Sequence, residues 1–342
     1  MNDIFLGNAL FFIIAFAWIV YLTQEMFITG SSIFQLIVAK TEDEKKQIQY
    51  ASGLHWDGIE VWLIAALTMT LGVFPSTHAM TFTHLYVIIF LLLYALITRG
   101  VVIETIHKLD SVKWKKYNGI AWAISSGLII LLFGMYLTNL FLGLPIDQNG
   151  MTGSFMSIFT TTNLAGGLFF LSLAFTSGAA WIKMTTEGDL GDKALNVVKK
   201  TFINILVPVL LLLIFMGFNV HDRLFVGTLF TQYPILFILP AVTVIFALLV
   251  LFYGYKTDSK KVFIFSILTL AFYLITGFVG SFPDALASSI DPSYSISISD
   301  ALTQTLGATV IFFVSVIFFP IVIGYQSWKY RRFKDKVKKD FE

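Results

Sequence analysis

The chain of 342 residues is 57% hydrophobic and only 13% charged, whereas an ordinary soluble domain has about 25% charged residues. With a mean hydropathy of +0.81, this composition excludes a soluble globular protein and indicates a polytopic membrane protein. The absence of cysteine excludes disulfides, thiolate-bound iron–sulfur clusters and covalent c-type haem attachment. We expect no nucleic-acid partner, and the net charge of +2 says little by itself.

Nine segments are long and apolar enough to cross a bilayer, which takes about 20 residues. In chain order they cover residues 5–29, 58–77, 80–103, 119–143, 155–183, 199–220, 225–254, 262–283 and 301–326. All nine are expected to be helices, because open sheet edges cannot be satisfied in lipid. Asp3 and the lack of Lys or Arg before the first segment predict that this segment is retained and not cleaved as a signal peptide.

The connections between these segments alternate in charge. Lysines fill the first connection, every second one after it, and the C-terminal tail, and of the 23 Lys and Arg residues only Arg223 falls on the other side. By the positive-inside rule this bias places the N-terminus outside and the C-terminus in the cytoplasm. We read the basic, aromatic tail from Trp328 as a topology signal, with binding to anionic membrane lipid as the alternative.

The first segment carries one carboxylate, Glu25, near its inner end. On a helix, Glu25 shares a face with Trp18, Tyr21 and Thr29. An acid at a membrane helix is costly and usually marks a proton or ion path, or a partner that neutralises it. Glu25 is therefore a candidate proton-relay residue, and the alternative is a structurally paired acid.

The second segment begins at the sequence His55-Trp56-Asp57-Gly58-Ile59-Glu60-Val61-Trp62. Asp57 and Glu60 are three residues apart and share a helical face. One interpretation is a proton path through both acids, to which His55 would contribute an imidazole that titrates near neutral pH. The other is local: Asp57 as N-cap and Glu60 three positions later would form a capping box.

The third segment ends with Arg99 and Glu104, followed by Lys108. Glu104 and Lys108 have the spacing of a helical ion pair. Arg99 lies close enough to the bilayer to require an acid, so the pattern predicts a structural ion pair between helices.

The remaining segments are almost purely apolar. The sequence predicts three parts: residues 1–143 with the ionisable groups, 144–283 as a second and mostly apolar bundle, and 284–342 with an outer loop, the ninth helix and the basic tail. The glycines at 166–167 and at 178 indicate close helix packing. The histidines lie near segment ends or in loops, with no partner for haem ligation in mid-membrane, so we expect neither haem ligands nor a metal site in this chain.

The block from His55 to Trp62 resembles the second helix of subunit II of cytochrome bd-type quinol oxidases. Two weaker features support the likeness: Glu25-Met26-Phe27 with Gly30 is similar to the family's acidic first-helix segment, and Arg99 with Glu104 to its basic–acidic pair ending helix three. There are two departures. Ile28 stands where the family commonly has a second acid, and Glu60 replaces an amide found in some relatives.

The resemblance implies two four-helix bundles plus one peripheral helix, in a bacterial cytoplasmic membrane. It implies a complex that oxidises quinol and reduces O₂ to water, with haems b558, b595 and d in the partner subunit I. A small single-helix subunit is left open as a further partner. Asp57 matches a family position in a cytoplasmic proton path, and Glu25 would be the second station.

We therefore predict a proton path through Asp57, Glu25, His55 and Glu60. The residues expected to serve structure or the subunit interface are Trp56, Gly58, Trp62, Arg99 and Glu104. The alternatives are a secondary ion or proton transporter, whose expected pair of broken helices in two repeats is not evident, and a pure assembly scaffold.

Overall fold

The computed structural model describes residues 2–108, 111–152, 158–219, 225, 228–332 and 336–337. The described chain is almost entirely helical. Its helices are α1 (Asp3–Ile37), α2 (Glu42–Gly53), α3 (Trp56–Val73), α4 (Pro75–His84), α5 (Tyr86–Thr105), α6 (Val112–Leu142), α7 (Thr161–Thr185), α8 (Leu190–Lys200), α9 (Phe202–Asn219), α10 (Leu229–Gln232), α11 (Ile238–Tyr255), α12 (Ser259–Ser281), α13 (Ile298–Ala301) and α14 (Thr305–Arg332). Two short antiparallel pairs complete it: β1 (Ile146–Asp147) with β2 (Gly150–Met151), and β3 (Asp284–Leu286) with β4 (Ile296–Ser297).

The described helices confirm an all-α membrane protein. Eight helical segments among the described residues have the length and apolar composition to cross a bilayer, and the α8–α9 pair, bent by 44°, brings the number to nine. The boundaries differ from the sequence prediction by several residues at most ends. α1 and α6 are much longer than the about 20 residues that a crossing requires, so they extend beyond it.

One boundary was predicted wrongly. We expected a short outer turn at residues 75–78 and a third span from residue 80, but residues 75–84 form the separate helix α4, and α5 begins only at Tyr86. Pro75 occupies the first turn of α4, where its fixed φ favours a helix start. The hydroxyls of Thr77 and Thr81 bond to backbone carbonyls of the preceding turn, so these polar residues fit a helix.

Elements from distant parts of the chain meet at the lysine-poor end. Leu144, which precedes β1, donates its N–H to Ala287 and accepts from Ser289. At the chain start, Asp3 accepts a hydrogen bond of 3.0 Å from Thr305. The N-terminus and the connections at residues 143–152 and 282–304 therefore lie at one end of the molecule. Arg223 and His221 lie outside the described residues.

The opposite end gathers the lysine-rich connections. Lys193 of α8 forms an ion pair of 2.8 Å with Glu44 of α2. Val337 accepts a hydrogen bond of 3.3 Å from Gln47 of α2 and pairs with Thr186, which follows α7. Most of the tail beyond Arg332 lies outside the described residues.

α7 is the central helix of the bundle, packed between α1 and α6. Glycine residues allow the backbones to approach closely where α7 crosses α1 and where it crosses α6. A Cβ atom at Gly30 of α1 would overlap the carbonyl of Ala174, and one at Gly178 would overlap the backbone of Gly30 and Ser31. A Cβ at Gly166 would overlap Thr138 of α6 in the same way. The prediction of close helix packing at these glycines is confirmed.

Gly178→Ala is expected to destabilise the protein by roughly 1–3 kcal/mol, because overpacking forces the backbones of α1 and α7 apart. The measurement is thermal unfolding of the detergent-solubilised protein. Gly324→Ala in α14 is the matched control, since a Cβ there meets nothing within 4 Å. Equal melting temperatures for the two variants would contradict this account of the crossing.

Candidate functional site

Three helices bring ionisable groups together inside the bundle. α1 places Tyr21, Glu25 and Thr29 on one face at helical spacing, as the sequence predicts, and all three are buried. α3 contributes Glu60, and α5 contributes Arg99. Arg99 and Glu25 are each only 1% exposed, whereas the Glu60 side chain is 21% exposed.

Arg99 bridges the two acids. Its Nη1 donates to Glu25 Oε1, and its Nη2 donates to Glu60 Oε1. The hydroxyl of Thr29 donates to the same Glu25 oxygen at 2.5 Å. We call Glu25, Glu60 and Arg99 the buried triad. It confirms that Arg99 pairs with an acid of another helix, and it makes Glu25 a paired acid; a relay role for Glu25 stays a prediction.

The triad has two formal negative charges against one positive charge. Arginine is always protonated in proteins, so a proton on either carboxyl would bring the triad to neutrality. Two further polar atoms lie beside these residues. Among the described residues, Tyr21 Oη and Arg99 Nε are buried without a hydrogen-bond partner. Buried polar groups of this kind are the usual partners of internal water.

Asp57 lies one turn before Glu60, at the start of α3. Its side chain is 64% exposed and pairs with Lys329 of α14, Oδ1 to Nζ, at 2.5 Å. The capping box considered from the sequence is not formed. The helix begins two residues earlier than that interpretation requires: His55 occupies the N-cap position, and no side chain caps it.

The C-terminal end of α14 packs onto α1 and α3 through amide and aromatic side chains. Gln326 accepts from Trp62 Nε1 at 2.9 Å and from Gln24 at 3.3 Å, and it donates to the carbonyl of Gly58 at 2.5 Å. Tyr330 donates to Gln24 at 3.2 Å. We call Gln24, Gln326, Lys329 and Tyr330 the α14 latch.

The latch was not predicted from the sequence. Its one signal was two glutamines inside otherwise apolar segments, and nothing in the sequence pairs the first span with the last. The predicted residues Trp62 and Gly58 touch the latch directly through these hydrogen bonds, so their structural role rests on contacts with α14.

His55 and Trp56 lie in aromatic surroundings. The His55 ring is stacked on Tyr330 with centroids 4.5 Å apart, and it meets the edge of Trp181 at 5.7 Å. Trp56 packs on a small apolar cluster around Ile103 and Trp122. The structure does not join His55 to the buried triad by a hydrogen bond.

Among the described residues, no three His, Asp or Glu side chains lie close enough together to hold a metal ion. His55 is stacked on Tyr330, and His78 lies against Phe82 with ring centroids 4.1 Å apart. The carboxylates and the guanidinium of the buried triad can bind a proton and pair charges.

Comparison with known proteins identifies the family. The family model described as cytochrome bd terminal oxidase subunit II matches residues 6–333. This chain belongs to that family. A probable cytochrome oxidase subunit 2 from Haemophilus influenzae is 28% identical, with 89% of this chain and 88% of that protein covered. The cytochrome bd ubiquinol oxidase subunit 2 of Bacillus subtilis is 26% identical, with 96% and 95% covered.

The fold is that of a solved member as well. A chain in the structure of bd oxidase from Geobacillus thermodenitrificans superposes with a TM-score of 0.75, covering 97% of this chain and 99% of that one at 16% identity. The cytochrome bd subunit II resemblance in the sequence is thus confirmed, as is the all-α membrane fold.

Within this subunit II chain, Glu104 differs from the other acids. It pairs with Lys108 at 3.7 Å, as its spacing predicts, and both side chains are mostly exposed. An exposed pair of this kind contributes about 0–1 kcal/mol. Glu104 therefore serves as a reference acid, at the same end of the protein but outside the buried triad.

Arg99→Met is expected to cost about 3–5 kcal/mol, because it leaves two carboxylates without their shared cation inside the bundle. Arg99→Lys is expected to recover only part of this loss, since one ammonium does not reproduce the planar fork that reaches both acids. Thermal unfolding measures both, with Lys108→Met as the control. A melting temperature of Arg99→Met equal to that of the control would refute the buried triad as a stabilising element.

Proposed function

We propose that this chain is the haem-free partner of a haem-bearing subunit I in a membrane complex that oxidises quinol and reduces O₂ to water. The support is membership of the subunit II family together with the relatives' names, among them a cytochrome bd-I ubiquinol oxidase subunit 2 of Escherichia coli that is 24% identical over 91% of this chain. Haems b558, b595 and d belong to subunit I in this proposal. Purification with native partners and a reduced-minus-oxidised spectrum test it.

The partner surface is proposed to be the face formed by α3 and α14. An apolar groove of about 480 Å³ runs between them, lined by Val61, Ile64, Val314 and Phe318 among others. Lipid would cover such a groove equally well. However, α3 also brings the carboxylates of Asp57 and Glu60 to the surface. Acids at a membrane face favour a protein partner or a wetted passage over lipid chains.

The purification that tests the oxidase also tests its composition. A short single-span chain that co-purifies in constant ratio would add the small subunit that the resemblance leaves open. A colourless chain without a haem partner would overturn the proposal.

A proton path into this complex is proposed to run from Asp57 through Glu60 to Glu25. The observation that carries it is the fall in side-chain exposure along these acids, from 64% to 21% to 1%. Asp57 and Glu60 are about 4.5 Å apart along the helix axis, and Glu60 and Glu25 share the Arg99 guanidinium. Oxygen reduction consumes protons in a low-dielectric interior, so the complex needs such a route.

His55 is proposed to influence the entry of this path and not to carry protons within it, because its ring faces Tyr330 and Trp181. All the charged residues of the proposed path fall within residues 1–143. On this basis we propose that the chain has three parts, residues 1–143, 144–283 and 284–342.

The lysine-rich end is proposed to face the cytoplasm, with the N-terminus outside. The gathering of α2, α8 and the tail at one end supports this through the positive-inside rule. The natural lack of cysteine makes the test direct: a single cysteine at exposed position 2 and another at 336 should react from opposite sides with a membrane-impermeant thiol reagent.

Asp57→Asn is expected to lower O₂ consumption severalfold while haem content stays at the parental level. A proton-transfer group typically contributes about 10²-fold or more. We expect a smaller loss at Asp57 because the full contribution is lost only where no alternative route exists. Glu60→Gln and Glu25→Gln are expected to lower it further. Quinol-driven O₂ uptake by the purified complex is the measurement, and the haem spectrum reports assembly.

Glu104→Gln is the matched control, since it removes an acid at the same end without touching the triad. Unchanged turnover in Asp57→Asn and Glu60→Gln would favour the scaffold alternative and rule out this path. Loss of haem in parallel with turnover would have the same consequence for the relay claim.

A further inference from the structure

A cleft at the lysine-rich end is not part of the site described above. It lies between the ends of α1, α2 and α6 and has a volume of about 700 Å³, within the range of roughly 300–1,000 Å³ usual for small-molecule sites. Four lysines line it: Lys45 and Lys46 on α2, and Lys115 and Lys116 on α6.

A buried amide donor points to a ligand in this cleft. Gln35 of α1 lines the cleft and is only 1% exposed. Its Oε1 accepts from Gln49 Nε2 at 3.0 Å. Its Nε2 has no hydrogen-bond partner among the described residues. A buried N–H without a partner is destabilising, so an acceptor in the cleft would remove that cost.

The charge of the cleft favours an anionic acceptor. Lys45 and Lys46 are paired with the acids Glu42 and Asp43 of their own helix, at 2.6 and 3.5 Å. Lys115 and Lys116 form no ion pair with any residue that the structure describes. Counting these groups leaves an excess of two positive charges around Gln35.

The cleft also has an apolar wall. Leu36, Ile106, Val112 and Ile120 line it beside the lysines. A fully hydrated anion would gain nothing from these side chains, whereas an amphiphile would place its headgroup by the lysines and its glycerol and first methylenes against them.

We propose that this cleft binds the phosphate group of an anionic phospholipid, with Gln35 Nε2 donating to a phosphate oxygen and Lys115 and Lys116 supplying the charge. The ligand is held where α1, α2 and α6 meet, so it fastens the inner end of α1 to its neighbours. The shared chemistry is phosphate, and the apolar wall selects the lipid over the free ion.

The test is native mass spectrometry of the delipidated, detergent-purified complex, titrated separately with phosphatidylglycerol, phosphatidylcholine and inorganic phosphate. The first lipid bound is expected to be phosphatidylglycerol. The double variant Lys115→Gln/Lys116→Gln should weaken it about 25-fold, since each of the two lysines near an anionic headgroup contributes about fivefold. Gln35→Glu keeps the acceptor for Gln49 but replaces the donor with a negative charge, and should weaken it at least as much.

Lys199→Gln/Lys200→Gln, at the last turn of α8, is the matched control with the same charge change at the same end of the protein. Equal weakening in this control would overturn the site in favour of a general charge effect. Displacement of phosphatidylglycerol by equimolar inorganic phosphate would overturn the lipid assignment. Should Gln35→Glu fail to assemble, the lysine pair and Gln35→Met, which removes the donor and the acceptor for Gln49 without adding a charge, decide the proposal: unchanged affinity in both would refute it.

Discussion

The first half of this subunit depends on the ion pairs that the guanidinium of Arg99 forms. It stands in the interior with about 1% exposure and joins acids from two other helices. None of the three groups could be buried alone, because an isolated ion in a low-dielectric interior costs several kcal/mol even after relaxation. The contact therefore fixes α1, α3 and α5 relative to one another, and with them every residue proposed for the proton path.

The α14 latch completes this arrangement from the far end of the chain. α14 is covered by other helices along only a small part of its length, so packing alone defines its position weakly. The hydrogen bonds of Gln326 to Trp62, Gly58 and Gln24 set its register against α3 and α1. Lys329 then forms an ion pair with Asp57 at the start of α3. The charge at the mouth of the proposed path is thus determined by a helix 272 residues away in sequence.

The sequence predicted what depends on periodicity and on single residue types. Hydropathy predicted the spans, the alternation of lysines predicted which connections gather at the same end, and helical spacing placed Glu25 with Tyr21 and Thr29. The small residues Gly166 and Gly178 correctly indicated close crossings. These features are local, because each follows from the spacing of residues along one segment.

What the sequence could not give are contacts between segments. The pairing of Arg99 with two acids rather than one depends on how α3 packs beside α1, and the latch depends on the return of the last helix to the first. α4 was missed for a different reason: its Thr and His residues lower the hydropathy, and the short helix was merged with a loop and with the start of α5.

Glu60 supplies the second acid of the triad. Ile28 of α1 is buried at 1% exposure, and Glu25 is the carboxylate that α1 offers to Arg99. Glu60 supplies the other from α3 and reaches the same guanidinium. Two acids from different helices therefore face one cation. A strictly structural ion pair would need only one acid. The second carboxylate therefore supports the proposal that the triad takes up a proton without losing its cation, as a relay requires and a scaffold does not.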